Sequence, residues 1–191
     1  VGGAAPLIAA ELGRGRHALR EVRRTMRMGM WLAVLSGALV MLVCTFAEPF
    51  MLLTGQKADI SRQAGGFVAI LMLSVIPAVL AALMRIFVSA LGRASVATAI
   101  TLAALATNSL GNWVLVFGHL GMPALGLAGS AISSVITSLV MLAAYVGIIL
   151  FDRRFRRYRL FGRLWQSDWA RFMELLRIGT PIALIIIAEA G

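Results

Sequence analysis

Glu189 stands in a stretch that offers it no partner. It follows seven consecutive apolar residues, Ile182 to Ala188, and the last charge before it is Arg177. A carboxyl group in apolar surroundings persists only when a proton neutralises it, a cation pairs with it or water reaches it. Reversible binding of a proton or a metal cation such as Na⁺ is therefore the chemistry that suits this residue at this place. A second pair of polar residues, Asn108 and Asn112, is spaced four apart in ATNSLGNWVLVFG and so lies on one helical face. Their amides can fasten a neighbouring helix or line a cavity, and the two roles do not exclude each other. No catalytic constellation accompanies them. His17 and His119 are far apart in the chain, and no Cys/His cluster has metal-ligand spacing. LGRGR (12–16) lacks the phosphate-loop pattern and reads as a helix end capped by Gly13. No enzymatic activity, cofactor or structural metal is expected.

The elements that must position these residues follow from the distribution of charge. Of 191 residues, 60% are hydrophobic and 14% charged, against about half and about a quarter in soluble domains. Residues 28–47 and 63–84 carry no charge, nor does 94–151 apart from His119. About 20 apolar residues cross the roughly 30 Å of a bilayer core. The two shorter stretches make one span each, and the longest, broken by GHLGMP (118–123), makes two. The expected fold is all-α, a polytopic transmembrane helical bundle. Its complete spans are about 28–48, 64–85, 94–117 and 124–151; the last turns of an earlier span occupy 1–12, and 178–191 begins another. VGGAAPLIAA has no basic leader and does not read as a signal peptide; both ends read as interior to a longer protein. Cys44, inside a span, is expected to be a buried packing residue, and Gly126 and Gly129 to form a small-residue face for another helix.

The net charge of +10 is gathered at one side. Six arginines precede the first complete span, Arg85 and Arg93 lie between the second and third, and eight arginines lie between Arg153 and Arg177. Sixteen basic residues thus share a side, while only Lys57 and Arg62 lie on the other. By the positive-inside rule the basic side is cytoplasmic, and the final segment runs outward. Tyr158, Trp165 and Trp169 among the arginines suit headgroup depth, so lipid contact accounts for the base and no nucleic-acid partner is expected. Glu189, twelve residues beyond Arg177, then lies about 18 Å into the membrane, near its midplane. A bare charge there costs roughly 2.5 kcal/mol or more.

Four stretches in order, AAELGRGR, RIFVSALGR, TNSLGNWVLVFGHLGMPALGLAGSAISS and LLRIGTPIALIIIAEAG, resemble the MATE (multidrug and toxic compound extrusion) transporters, in particular their NorM-like bacterial branch. The resemblance implies twelve spans in two six-helix lobes around a cavity. Residues 1–151 would run from the end of span two through span six of the N-terminal lobe, 152–177 would be a basic cytoplasmic linker, and 178–191 would begin the C-terminal lobe. It implies a monomer in the bacterial inner membrane that exports organic, often cationic, compounds against H⁺ or Na⁺ by alternating access. Glu189 would be a coupling residue; Asn108, Asn112 and Ser134 would line the cargo cavity, Ser134 at the position of a threonine. Some relatives carry Asn-x-x-x-Asp where this chain has Asn108 and Asn112. An amide exchanges no proton near neutral pH, so this lobe is expected to shape the cavity while coupling depends on Glu189. Two alternatives are a lipid-linked saccharide flippase of the same superfamily, which should line its cavity with cationic residues, and a membrane scaffold that holds lipid or a partner on the basic linker.

Overall fold

The computed structural model describes residues 4–13, 18–55, 58–166 and 168–190. Among these residues the regular structure is helical and no strand occurs, as the charge-free runs predict. The elements are α1 (Ala4–Leu12), α2 (Ala18–Thr45), α3 (Ala47–Leu53), α4 (Ala58–Ala90), α5 (Ala94–Leu115), α6 (Leu127–Phe151), the short α7 (Arg153–Arg156) and α8 (Trp169–Ala190). Four segments are long and apolar enough to cross a membrane: Ala18–Leu53, Asp59–Ala90, Ala94–Leu115 and Leu127–Phe151. Helix α4 is the hub, packing on α6, α2, α5, α1 and α3. Pro77 lies inside it and withholds an amide hydrogen from the preceding turn.

The helices run beyond several of the expected bounds. Helix α2 begins at Ala18, ten residues before the uncharged stretch 28–47, so Arg20, Arg23, Arg24 and Arg27 stand on a helix. Buried Ala18, Val22, Thr25 and Met26 recur there at helical spacing between the arginines; charge density conceals this apolar stripe. The span expected at 64–85 is extended at both ends as α4, α5 stops at Leu115, and α6 starts at Leu127 because 124–126 belong to the turn. Helix α8 starts at Trp169, not 178, so the last nine residues of the expected linker are its first turns.

Glycine chemistry closes the short connections. After α4, Gly92 (φ +78°) donates to the carbonyl of Ser89 and Arg93 to that of Val88, the paired bonds of a left-handed helix cap. Gly13 donates to Ala9 as the expected end of α1, while Arg14 to His17 lie outside the described residues. Gly126, expected on a packing face, faces open space at φ +54° and serves the turn instead. Cys44 is half-buried.

The densest core sits at the basic end, the end that carries the arginine clusters. Phe87 of α4, Tyr145 and Ile149 of α6, and Phe155 and Leu160 after α6 are all nearly inaccessible. The Phe87 ring lies 5.7 Å from that of Phe155 and 5.4 Å, edge-on, from that of Tyr158, in the tilted geometries that aromatic quadrupoles favour. The Tyr145 hydroxyl donates to the Ala97 carbonyl at 3.3 Å and ties α6 to α5. The segment after α6 is therefore plugged into the bundle. Away from this end, apolar side chains such as Leu39, Val43, Leu105 and Leu139 point outward and are exposed, the arrangement of helices whose solvent is hydrocarbon.

Candidate functional site

Helices α5 and α6 approach closely enough to share a polar seam. A Cβ on Gly111 would run into the side chain of Ser133, and one on Gly129 would sit 2.6 Å from the carbonyl carbon of Leu115. Gly129 is thus the small-residue contact that the sequence predicts. Along the seam the Asn112 amide donates to Asn108 Oδ1 at 3.2 Å, and the Asn108 amide donates across to Thr137 Oγ1 at 3.3 Å. Ser133 Oγ donates to the Asn108 carbonyl at 3.0 Å. Asn108 and Asn112 are therefore brought together, with Ser133 and Thr137 as their α6 partners. Ser134 lies outside this seam, its hydroxyl returning to the Ser130 carbonyl at 3.1 Å. Asn112 Oδ1 is buried and, among the described residues, receives no hydrogen bond. A buried acceptor without a donor costs about 1–3 kcal/mol, so this oxygen is the seam's open position.

Glu189 occupies the last turn of α8 and is exposed. Among the described residues no hydrogen bond or ion pair reaches it. Ile185, one turn before it on the same helical face, is 60% exposed, so the carboxylate shares an exposed face with an apolar side chain. The structure does not join it to the asparagine seam. His119, at the turn between α5 and α6, stacks on Trp113 with ring centroids 4.3 Å apart and bonds the Trp113 carbonyl. No group of three or more potential metal-binding side chains occurs among the described residues.

A third cluster, which charge counting alone does not reveal, lies at the basic end. Arg171 of α8 is buried between acids from three helices. Its Nη2 lies 2.9 Å from Glu11 of α1 and pairs also with Glu21 of α2; its Nη1 lies 2.8 Å from Glu174. Glu11, 2% exposed, also accepts from the Thr25 hydroxyl, whose single proton is shared between its two oxygens at 2.8 and 3.0 Å. Beside this cluster Arg24 pairs with Asp168, and the Arg24 guanidinium holds the Asp168 carboxyl below the usual aspartate range. Trp31 Nε1 donates to the Leu164 carbonyl at 2.8 Å. Together these contacts fasten the start of α8 and the segment before it along α2 and α1. The available signal was Glu11 behind the apolar run Pro6 to Ala10, the same setting that singled out Glu189.

The MatE family profile matches residues 2–114, more than half of the chain. The chain belongs to the MatE family. Proteins named "Probable multidrug resistance protein NorM" from Mesorhizobium japonicum, Rhizobium meliloti and Brucella suis are 44%, 38% and 36% identical to it over 96–97% of its length. The chain covers 39–40% of these relatives, so it spans about two fifths of the length of the curated proteins it matches. MatE membership and the four apolar segments make it part of a multi-pass membrane protein of a transporter family. Within the MatE match lie Glu11, Glu21 and the asparagine pair; Ser134, Arg171 and Glu189 fall beyond it.

Proposed function

We propose that this chain is part of a bacterial inner-membrane multidrug efflux transporter that exchanges organic, often cationic, compounds for H⁺ or Na⁺ by alternating access. The observation that carries the reading is Glu189, a lone carboxylate on an otherwise apolar face of α8 about 18 Å along the helix from Arg177. Such a group is stable in hydrocarbon only with a proton, a cation or water, and a transporter uses that requirement to couple ion entry to a conformational change. The names of the relatives support the cargo class. Residues 4–151 would be part of the first lobe, the segment to Gln166 a cytoplasmic linker, and α8 the first span of the second lobe. The Arg171 cluster would then join the lobes at the cytoplasmic end, so it must part whenever the cavity opens to that side.

In this reading the α5–α6 seam borders the cavity, and Asn112 Oδ1, buried in the closed seam, becomes an acceptor for cargo or water when the seam opens. Asn108 and Ser134 lie on the same helical pair and complete the wall. A saccharide flippase fits less well, since residues 28–47, 63–84 and 94–151 of this part of the protein offer no Lys or Arg to line a cavity.

The test is drug accumulation in cells that lack their own efflux pumps and express the full-length protein. Glu189→Gln preserves shape and removes the charge; it should restore drug accumulation to the pump-free level at normal expression. Asn112→Ala should change the ranking of exported compounds while the pH or Na⁺ dependence stays. Full export by Glu189→Gln, or loss of ion dependence on Asn112→Ala alone, overturns the assignment.

A further inference from the structure

Five arginines crowd the turn after α6: Arg153, Arg154, Arg156, Arg157 and Arg159. All are exposed, and none forms an ion pair among the described residues. The nearest acid in sequence, Asp152, is engaged by Arg93 at 3.3 Å and by the backbone amide of Arg154 at 2.9 Å. The arginines are held in place from beneath. Phe155 and Leu160 are buried in the bundle core, Tyr158 packs on Phe87, and Arg159 adopts φ +43° to reverse the chain. Four of the arginines, Arg153, Arg156, Arg157 and Arg159, line a basic cleft together with Leu19.

Arg156 and Arg159 also line an apolar crevice of about 170 Å³, together with Ile149, Leu150, Phe155 and Phe161. Phe161 in turn lines a cavity of about 460 Å³ with Leu142, Val146, Leu164 and Trp165. Among the described residues no carboxylate lines any of the three. A concentrated positive charge thus adjoins two apolar hollows along the end of α6, which share Phe161 as a wall. An amphiphile with an anionic head and long acyl chains matches both features, whereas a protein helix or an organic cation matches only the hollows.

We propose that the cleft and these hollows form a binding site for an anionic phospholipid. The phosphodiester lies between Arg156 and Arg159, with Arg153 and Arg157 around it, and one acyl chain runs past Ile149 and Leu150 into the cavity at Phe161. Arginine suits the role because its planar fork donates two parallel bonds to a phosphate. Basic pockets beside membrane helices on the cytoplasmic side attract anionic headgroups in this way. Bound there, the lipid would brace the segment that connects α6 to α8. The inference rests on reading the basic end as the headgroup-facing, cytoplasmic side and is independent of what cargo is carried.

The experiment uses the full-length protein in neutral detergent, titrated with phosphatidylglycerol, phosphatidylcholine or inorganic phosphate. Bound lipid is read by native mass spectrometry and stability by melting temperature. Phosphatidylglycerol should remain bound and raise the melting temperature; phosphatidylcholine and inorganic phosphate should do neither. The Arg156→Gln/Arg159→Gln protein should bind phosphatidylglycerol about tenfold more weakly or worse, the loss expected when two charge-assisted contacts go. Val146→Trp, which fills the larger hollow and leaves the arginines, should weaken it too. Arg20→Gln/Arg177→Gln removes the same charge elsewhere and should bind normally. Equal retention of phosphatidylcholine, an equal effect of inorganic phosphate, or undiminished binding by the Arg156/Arg159 variant would overturn the site. A reporter at Phe161 that proves extracytoplasmic would instead overturn the orientation on which the site rests.

Discussion

Replacing Arg171 by methionine separates a buried ionic cluster from ordinary surface charge. Arg171 is 8% exposed and faces three acids of unequal burial. The Glu174 side chain is 46% exposed and sits three residues away on the same helix, so that pair contributes only about 0.2–0.5 kcal/mol. The Glu21 side chain is 30% exposed and falls between the extremes. Glu11 is 2% exposed; without Arg171 it would retain the Thr25 hydroxyl as its partner and stand otherwise uncompensated. Removing one member of a buried pair costs about 3–5 kcal/mol, so Glu11 dominates the loss. Arg171→Met should therefore destabilise the full-length protein by about that amount, and Glu174→Ala by about a tenth of it. Because the harm comes from the stranded Glu11 charge, Glu11→Gln in the same protein should recover about half or more, with a coupling of about 1–3 kcal/mol. Denaturant unfolding in detergent micelles, followed by tryptophan fluorescence, measures all four corners of the cycle. A loss under about 0.5 kcal/mol, the ordinary surface scale, or strict additivity with Glu11→Gln, would refute the buried cluster.

Three further outcomes follow from the geometry. Gly129→Ala places a Cβ 2.6 Å from the backbone carbonyl carbon of Leu115; backbone cannot yield as a side-chain tip can, so α5 and α6 should separate at a cost of about 1–3 kcal/mol, read as a lowered melting temperature. Asp168, its carboxyl held low by Arg24, contributes stability that is fully present above the ordinary aspartate range and is lost as pH falls through its depressed value; the stability gap between wild type and Asp168→Asn should be flat from neutral pH to about 5 and close only below about 4. For topology, a reporter at Gly121 should be extracytoplasmic and reporters at Arg93 and Phe161 cytoplasmic, and reversal of any one would break the charge-based orientation. Lys57, the matching position between α3 and α4, lies outside the described residues.

The fold was legible because hydrocarbon imposes a simple rule: long charge-free runs become helices, and Gly/Pro clusters separate them. Gly129, Gly13 and the 118–123 turn were all readable on that basis. What remained hidden was hidden by charge. The arginines of residues 18–27 mask the buried face made by Val22, Thr25 and Met26, and those of 153–159 mask the aromatic plug formed by Phe155 and Tyr158. Arg171 looked like one more topology signal, yet tertiary contacts from α1 and α2 bury it. Such contacts join residues up to 160 positions apart in sequence, Glu11 with Arg171 among them, and no local pattern encodes them. The asparagine pair was legible as a polar face, but its α6 partners were not. Helical phase decides that Ser133 and Thr137 meet Asn108 while Ser134 turns back on its own helix.

In the proposed mechanism, ion binding at Glu189 drives cargo across the membrane. Its most direct test is transport by purified full-length protein in liposomes without ATP, using a fluorescent organic cation and an imposed gradient of either H⁺ or Na⁺. Cation movement against its own gradient, stopped by collapsing one of the two ion gradients and absent with Glu189→Gln, is the predicted result. Transport that proceeds equally with neither gradient imposed, or that survives Glu189→Gln with its ion dependence intact, would rule out Glu189 as the coupling residue.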